Sequence, residues 1–447
     1  MKARFPLIAA LGVALSPLKA SAQAWVDNPA FSEGIGVRVG NLEFHPSVGG
    51  EFGYDSNFYQ ASKSEGVVDA LKLRGTLSFT LSTLRQERRQ TATPPKYIFT
   101  SSASGSYFEL FPLDSASEDA KKRRNVTIGA DATLNAFPTG RFGFDLLAAY
   151  MRLIQGEGRT DDLAGSGFFH SGFNRDTVRG GGGVSWRPGG GLFEWRLGYA
   201  IGANLFENGQ YRSLDNVQHE IQTRGRWRFL PRSALLFDST YAMVRYTHAN
   251  TQQTSGDIVR TRLGFHGLVT YHLALLGMLG WASSFYESTN TSIRARQFDS
   301  VIANAEARWF IQPRPNLDDQ SITSGLSSVA VGYQRSFANS YLGSFYQKDR
   351  GYIQFDTFLV GAIAAGLEFG LARVAFPDAQ APNDPAVTVP AFSQLRLDAR
   401  AFAEYRVTDT IGVNATFMYD QVNSDRVANE DLEFTRWQAY LGLRWFM

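Results

Sequence analysis

Long segments in which apolar and polar residues alternate constrain this chain more than any other feature of its sequence. In the clearest segment the odd positions from Phe193 to Leu205 are apolar, and most intervening positions, such as Glu194 and Arg196, are polar or small. Successive side chains of a β-strand point to opposite faces, so a segment of this kind forms a strand with one apolar and one largely polar face.

About eighteen such segments fill the chain from residue 42 to the C-terminus. We predict strands at 42–55, 67–83, 96–110, 123–136, 141–153, 177–187, 191–206, 216–230, 233–247, 256–273, 275–288, 297–312, 325–337, 350–360, 362–375, 391–407, 409–423 and 431–447. Many of these strands exceed ten residues, whereas strands of soluble sheets usually have about five or six. A tilted strand needs about nine to eleven residues to cross a membrane.

The connections between these segments alternate between short and long. Short connections have turn compositions, for example Phe137-Pro138-Thr139-Gly140 and Pro188-Gly189-Gly190. Longer polar connections, such as 154–176 and 376–390, come between them, while 84–95 and 312–324 are long where short ones are expected. This alternation is typical of outer-membrane barrels with short periplasmic turns and longer outer loops, and an even strand count leaves both termini on the periplasmic side.

Composition agrees with a membrane barrel and argues against a bundle of membrane helices. Aromatic residues make up 13% of the chain and mean hydropathy is −0.21. A soluble sandwich, propeller or β-helix shares the alternating pattern, but we find no fixed-period repeat. We therefore predict an all-β fold, a transmembrane antiparallel up-and-down β-barrel of about eighteen strands.

The N-terminus has the layout of a secretory signal. Lys2 and Arg4 precede an apolar run at 5–15, and small residues at 20–22 offer a cleavage site. We predict a signal peptide at 1–22, an N-terminal periplasmic segment at 23–41 and the barrel at 42–447. The last strand, with Trp437, Trp445 and a penultimate Phe446, is suited to recognition by the barrel assembly machinery. The expected location is integral to the outer membrane.

Motifs for catalysis or cofactors are weak. His219-Glu220 begins a zinc-protease pattern but lacks the second histidine, and it lies on a predicted strand. The chain has no cysteine and a net charge of only +2, which favours neither thiolate metal sites nor nucleic acid. The pairs Asp161-Asp162 and Asp318-Asp319 could bind calcium, although such pairs are more often solvated loop charges. We predict no enzyme activity and no cofactor.

The polar faces of the strands carry many arginines, which a lipid-facing wall would not tolerate near the membrane midplane. We therefore expect these residues to face the lumen, where they form ion pairs within the wall or line a hydrated channel. The candidate pore-lining residues are Arg224, Arg226, Arg228, Arg260, Arg262, Glu306, Arg396, Asp398, Arg400, Glu404, Arg436 and Arg444.

The opening strand contains Pro46-Ser47 and ends in Tyr54-Asp55-Ser56-Asn57. This stretch resembles the start of the β-barrel porin 2 family, whose motif would correspond to Pro46, Tyr54, Asp55, Ser56 and Asn57. The resemblance implies an outer-membrane barrel associated with exopolysaccharide or capsule export. It also implies a periplasmic polysaccharide-export protein as partner.

Three functions remain open from the sequence. The resemblance favours export of a polysaccharide across the outer membrane. The alternative is a general diffusion porin for small polar or anionic solutes, which an internal constriction with a charge field across the lumen would favour. The third is a structural or enzymatic barrel, for which a filled lumen or a Ser-His pair on the lipid face would be the sign.

Overall fold

A computed structural model describes most of the chain from residue 36 onward. The described residues are 36–62, 66–84, 95–113, 125–153, 174–207, 209–248, 255–286, 297–311, 313–315, 323–325, 327–340, 345–359, 362–381, 384–424 and 432–447. The predicted signal peptide at 1–22 lies outside these residues, as does most of the predicted segment at 23–41. Both therefore stay predictions.

The eighteen alternating segments form the eighteen strands of one closed antiparallel β-barrel. In chain order the strands are β1 Leu42–Asp55, β2 Ala70–Thr83, β3 Tyr97–Pro112, β4 Asn125–Ala136, β5 Phe142–Leu153, β6 Arg175–Trp186, β7 Phe193–Phe206, β8 Asn216–Leu230, β9 Ser233–Tyr246, β10 Gly256–Leu268, β11 Leu273–Tyr286, β12 Asp299–Phe310, β13 Ser327–Asn339, β14 Phe345–Leu359, β15 Ile363–Phe376, β16 Phe392–Arg406, β17 Ile411–Ser424 and β18 Phe434–Phe446. The prediction of fold class is confirmed.

Each strand pairs with its neighbours in sequence, and the first strand pairs with the last. The closing ladder between β1 and β18 runs from Ser47 opposite Phe446 to Asp55 opposite Gln438. Closure leaves no edge strand among the eighteen, as a membrane wall requires, because lipid offers no hydrogen bonds to unpaired backbone. A short strand, Val37–Val39, lies outside the ring and pairs with the start of β1.

Two of the longer connections contain short hairpins of their own. Pro313–Pro315 pairs with Thr323–Gly325 between β12 and β13, and Ala379–Ala381 pairs with Asp384–Val389 between β15 and β16. The first of these connections is one of the two that are long on the short-turn side. We call the two ends of the barrel the turn side and the loop side, after the prevailing connections.

The two faces of the wall differ as the alternation predicts. On β1, Ser47 and Glu51 are each 3% exposed, whereas Val48 and Phe52 on the opposite face are 49% and 52% exposed. The exposed face carries at least one large apolar residue on every strand, for example Leu77, Leu279 and Leu441. A closed barrel with a continuous apolar outer belt is an integral outer-membrane protein. Among the described residues, no helix is long and apolar enough to cross a membrane.

Candidate functional site

The strand registers place most charged residues of the described strands on the inner face of the barrel. The inward cations number eighteen: Lys72, Arg74, Arg175, Arg179, Arg196, Arg224, Arg226, Arg228, Arg260, Arg262, Arg308, Lys348, Arg350, Arg396, Arg400, Arg406, Arg436 and Arg444. The inward carboxylates number fourteen: Glu43, Glu51, Asp55, Asp131, Asp145, Glu194, Glu220, Asp238, Glu306, Asp356, Glu368, Asp398, Glu404 and Asp420. The described inner wall therefore has an excess of positive charge.

The excess is concentrated on five consecutive strands, β6 to β10. We call this surface the arginine wall, and its eight members are Arg175, Arg179, Arg196, Arg224, Arg226, Arg228, Arg260 and Arg262. Only three carboxylates face inward on the same strands, namely Glu194, Glu220 and Asp238. This arc of the inner surface is therefore strongly cationic.

Several carboxylates on this arc are shared between arginines. Asp238 accepts from Arg224 Nε at 3.1 Å and from Arg262 Nη2 at 3.0 Å. Glu194 likewise accepts from Arg226 Nη2 at 2.7 Å and from Arg187 Nε, in the turn before β7, at 3.0 Å. Each shared carboxylate neutralises only one of its two guanidinium groups, so a positive charge remains at both positions.

Two members of the arginine wall have no carboxylate partner among the described residues. Arg228 lies near the turn-side end of β8 and its side chain is only partly buried. Arg260 lies near the loop-side end of β10, where Nη2 donates to the carbonyl oxygen of Phe337 at 3.1 Å and the guanidinium lies 4.9 Å from that phenyl ring. Both retain a full positive charge on the inner surface.

The wall on the other side of the barrel is more evenly balanced. Arg350 Nη2 donates to Glu368 at 2.6 Å and to Asp398 at 3.0 Å, so one guanidinium group there is paired with two carboxylates. Glu306 accepts from the Tyr352 hydroxyl at 2.6 Å and from Arg308 Nε at 3.0 Å. The charge field of the interior is therefore asymmetric, with its positive side at the arginine wall.

The closing seam, formed by β17, β18, β1 and β2, holds a third kind of charge arrangement. Arg436 Nε donates to Asp55 at 2.9 Å, and Arg74 Nε donates to Glu51 at 2.9 Å. All four side chains are at most 3% exposed. Charges that are both buried and paired are part of the wall and are closed to a passing solute.

The predicted pore-lining residues separate accordingly. All twelve lie on the inner face, but Arg436 and Arg444 are buried at the seam, and Glu404 is buried beside it on β16, where it accepts from Arg444 Nη2 at 2.6 Å. The remaining nine are only partly buried: Arg224, Arg226, Arg228, Arg260, Arg262, Glu306, Arg396, Asp398 and Arg400. Their role as a pore lining stays a prediction.

The family-motif residues organise the loop-side end of the seam. Ser56 Oγ accepts from the backbone N–H of Trp437 at 2.8 Å, and the Tyr54 ring lies 4.6 Å from the ring of Trp437 on the outer face. Asn57 Nδ2 donates to the carbonyl of Ala61 at 2.7 Å, and Asn57 Oδ1 accepts from the N–H of Ala61 at 3.0 Å. These bonds turn the β1–β2 connection inward.

Pro46, the remaining motif residue, lies on the outer face of β1. Its carbonyl oxygen accepts from the backbone N–H of Met447 at 3.1 Å. The motif positions therefore join the first strand to the last in this structure, and their contacts are structural.

Aromatic clusters fold inward at the loop side in three places. Phe58 packs on the inner face of β2 and β3, against Ala70 and Phe108. Phe376 and Phe392 stack with ring centroids 4.6 Å apart inside β15 and β16. The third and largest cluster covers the inner face of β9 to β12. Together these clusters narrow the loop-side end of the lumen.

The third cluster is built by a hairpin that bends into the barrel. The β12–β13 ladder ends at Arg335, and the described residues beyond it pack on the inner face. The Phe337 ring lies 3.9 Å from that of Phe298, which in turn contacts Phe345 edge-on at 5.1 Å. We call residues 336–340 and 345–346 the inner hairpin. It brings an aromatic surface beside Arg260 of the arginine wall.

The described part of the structure does not support the His219-Glu220 zinc-protease pattern or a metal site. His219 faces outward, where its Nδ1 lies 2.7 Å from the Tyr199 hydroxyl, whereas Glu220 faces inward, so the two side chains are on opposite sides of the wall. Among the described residues no group of three or more His, Asp or Glu could hold a metal ion. Asp161-Asp162 and Asp318-Asp319 lie outside the described residues.

Comparison with known proteins gives similarity in fold alone. No protein-family model matches this sequence, and no curated protein matches it. Solved structures of similar fold include Pseudomonas aeruginosa OpdK with vanillate, with 12% identity, a TM-score of 0.47 and coverage of 91% of this chain and 99% of that one. Pseudomonas aeruginosa OpdQ has 9% identity and a TM-score of 0.45, covering 92% and 99%. The FrpB iron transporter from Neisseria meningitidis has 7% identity and a TM-score of 0.44, with coverage of 90% of this chain and 81% of that one. Membership of the β-barrel porin 2 family stays a prediction.

The prediction of polysaccharide export is wrong. The solved structures of similar fold include one with vanillate and one named as an iron transporter, and they favour the alternative prediction, a diffusion porin, over polymer export. The interior supplies a physical reason, because inward-folded aromatic clusters narrow the loop-side end where a polymer would leave. The inward aromatic residues Phe402 and Tyr440 are only 5% and 3% exposed, so they offer almost no surface to a sugar ring. The expected periplasmic export partner depended on that function and loses its basis with it.

Proposed function

We propose that the protein is an outer-membrane diffusion channel for small polar solutes, with a preference for anions. The observation that carries the proposal is the arginine wall, where eight inward arginines on β6 to β10 meet three inward carboxylates on the same strands and Asp145 of β5, which accepts from Arg196 Nε at 2.8 Å. A solute crossing the barrel passes this surface on one side and the balanced wall on the other.

The electrostatics of a confined lumen amplify such an imbalance. A cleft lined by one sign of charge between low-dielectric walls concentrates field lines and raises the local concentration of counter-ions. Arg228 and Arg260 form no ion pair with a carboxylate of the described residues, although Glu220 attracts Arg260 at longer range, and they lie one near each end of the wall. Guanidinium groups also bind carboxylates in a bidentate manner, so small organic acids are favoured over chloride-sized ions of the same charge.

The inner hairpin supports a size limit. Because the inner hairpin packs on the inner face of β9 to β12, with the Phe337 ring 4.9 Å from the Arg260 guanidinium, it takes up part of the lumen beside Arg260. A narrow polar passage with an aromatic side selects by both size and charge. The solutes that fit this description are small organic anions, and the outer-membrane lipid is the surrounding partner.

The test is ion selectivity of the purified full-length protein in planar bilayers under a tenfold KCl gradient. We expect the reversal potential to show anion preference, and Arg228→Gln and Arg260→Gln each to move it towards the non-selective value. Arg245→Gln is the matched control, because Arg245 faces outward and is held by Asp257 at 2.7 Å. Its selectivity should equal that of the original protein.

Vesicle swelling separates solute classes. We expect a monocarboxylate such as benzoate or gluconate to enter faster than a neutral sugar of equal size, and oligosaccharides to be excluded. Cation preference, absence of any conductance, or equal entry of the monocarboxylate and the neutral sugar would refute the proposal.

A further inference from the structure

The outer wall of the barrel has a charged row directly above its apolar belt on β13 to β15. Arg335, Asp349 and Arg373 are aligned across these strands by register, and all three face outward. The next outward rows towards the turn side are Tyr333, Gly351 and Leu371, then Val331, Ile353 and Phe369. The charged row therefore begins where the apolar surface ends.

The height of this row matches the border of the hydrocarbon layer. Asp349 is ten residues along β14 from Leu359 at the turn side. At about 3.4 Å per residue and a tilt of about 40°, ten residues rise roughly 26 Å, which is the height of the apolar band of such barrels. Arg335 and Arg373 consequently lie at the level of lipid headgroups on the loop side.

The single carboxylate of the row, Asp349, accepts hydrogen bonds from two neutral donors. Asp349 Oδ1 accepts from the Tyr333 hydroxyl at 2.7 Å, and Oδ2 accepts from Gln347 Nε2 at 2.7 Å. Arg335 Nη1 lies 3.7 Å from Asp349 Oδ1, beyond hydrogen-bond distance, and its side chain is 34% exposed. Arg373 is exposed and has no partner among the described residues. Two guanidinium groups thus face the membrane border against one carboxylate that is already hydrogen-bonded.

We propose that Arg335 and Arg373 form a docking site for a phosphorylated lipid headgroup of the outer leaflet. Arginine on a lipid-facing wall is unfavourable unless its charge reaches the headgroup layer, and there phosphate is the anion that it meets. Guanidinium groups bind phosphate oxygens through parallel N–H donors. Gly351 leaves the surface below the row open for an acyl chain between Tyr333 and Leu371.

Outward arginines elsewhere at this border differ in one respect. Arg245 Nη1 donates to the carbonyl oxygens of Val244 at 3.0 Å and Gly256 at 3.2 Å, while Nη2 contacts Asp257 at 2.7 Å. Arg152 Nη2 similarly donates to Glu207 at 3.0 Å, and Nη1 donates to the Val126 carbonyl at 3.0 Å. The guanidinium donors of these two arginines are used in bonds within the protein. Arg245→Gln is therefore the control that removes an outward charge without removing the proposed headgroup site.

The experiment measures binding of bisphosphorylated lipid A to the folded full-length protein in neutral detergent by native mass spectrometry. Each arginine near a headgroup contributes about 1 kcal/mol, so Arg335→Gln/Arg373→Gln should weaken binding by about 30-fold. Arg245→Gln should bind as the original protein does, and Arg335→Lys/Arg373→Lys should recover part of the affinity. Resistance of each variant to unfolding in dodecyl sulfate shows that the barrel is intact.

Three outcomes would overturn the proposal. One is equal affinity of the double glutamine variant and the original protein. Another is equal affinity for lipid A with and without its phosphates. The third is saturation of the site by inorganic phosphate at millimolar concentration, which would make it a free-anion site. Loss of lipid binding without a change in ion selectivity would separate this site from the proposed channel.

Discussion

The buried ion pair between Asp55 and Arg436 should make a large contribution to the closure of the barrel. It joins the first strand to the last, with Arg436 Nε 2.9 Å from Asp55 Oδ1 and Gln438 Nε2 2.7 Å from Asp55 Oδ2. Asp55 is 0% exposed and Arg436 is 1% exposed. Replacement of Arg436 by glutamine removes the guanidinium paired with Asp55, and leaves the buried carboxylate with the neutral donor Gln438 and the charge of nearby Lys72.

The magnitude follows from the cost of an uncompensated buried charge. Removing one partner of a buried pair typically destabilises a protein by about 3–5 kcal/mol. We expect a loss in this range for Arg436→Gln. Asp55→Asn/Arg436→Gln neutralises both members of the pair, so the double variant should lose less than the sum of its two single variants, by about 2 kcal/mol.

The assay is urea-induced unfolding of the protein in large unilamellar vesicles, followed by the fluorescence of its eight tryptophans. Arg335→Gln is the matched control, because Arg335 is 3.7 Å from Asp349 and a third exposed, so its loss should cost at most about 1 kcal/mol. A loss below about 1 kcal/mol for Arg436→Gln, or strictly additive effects in the double variant, would refute the reasoning.

Three further variants test other features of the structure. Phe337→Ala removes the aromatic contact with Phe298 and Arg260, so single-channel conductance should rise while stability falls by about 3–5 kcal/mol; unchanged conductance would show that the inner hairpin does not bound the passage. Asn57→Ala deletes both side-chain bonds to Ala61 and should cost about 1–3 kcal/mol, with faster proteolysis of the β1–β2 connection; protease resistance equal to the original would contradict the assigned role. Leu441→Arg places a charge on the lipid face, where Leu441 is 68% exposed, and should destabilise the barrel folded in vesicles by about 2–4 kcal/mol; an unchanged stability would place Leu441 outside the membrane.

The sequence predicted the wall of this barrel well because the information is local. The period of two in β7, β8 and β16 assigns each side chain to a face without knowledge of any neighbouring strand. Thus Arg224 and Arg396 were expected to face the lumen, and the registers place them there. Strand ends were also predicted within a few residues, except that β14 begins at Phe345 instead of 350 and β10 ends at Leu268 instead of 273.

Features that depend on distant strands could not be predicted in the same way. By alternation with Val331 and Tyr333, Phe337 belongs to the outer face. It packs inside because the ladder with β12 stops at Arg335 and the inner hairpin beyond that point bends into the barrel. Similarly, Asp55 and Arg436 are far apart in sequence and meet only because the barrel closes. Alternation predicts whether a side chain faces the inside or the outside of the barrel. It does not predict which residues pair across the seam or that a hairpin bends inward.

This difference explains why one polar pattern supports two roles. At the seam, Glu51, Asp55, Arg74 and Arg436 are buried and paired, so their charges are satisfied within the wall and offer nothing to a solute. On the arginine wall, carboxylates are shared or missing, so each added guanidinium raises the electrostatic free energy of the empty barrel. Under the proposed function, an anion in transit lowers that energy, which would account for the excess of arginine on this wall. By this argument, adding a carboxylate beside Arg228 with Ala234→Glu, its cross-strand neighbour, should stabilise the barrel while reducing its anion selectivity. If that variant kept full selectivity, the uncompensated charge of Arg228 would have no part in the passage of anions.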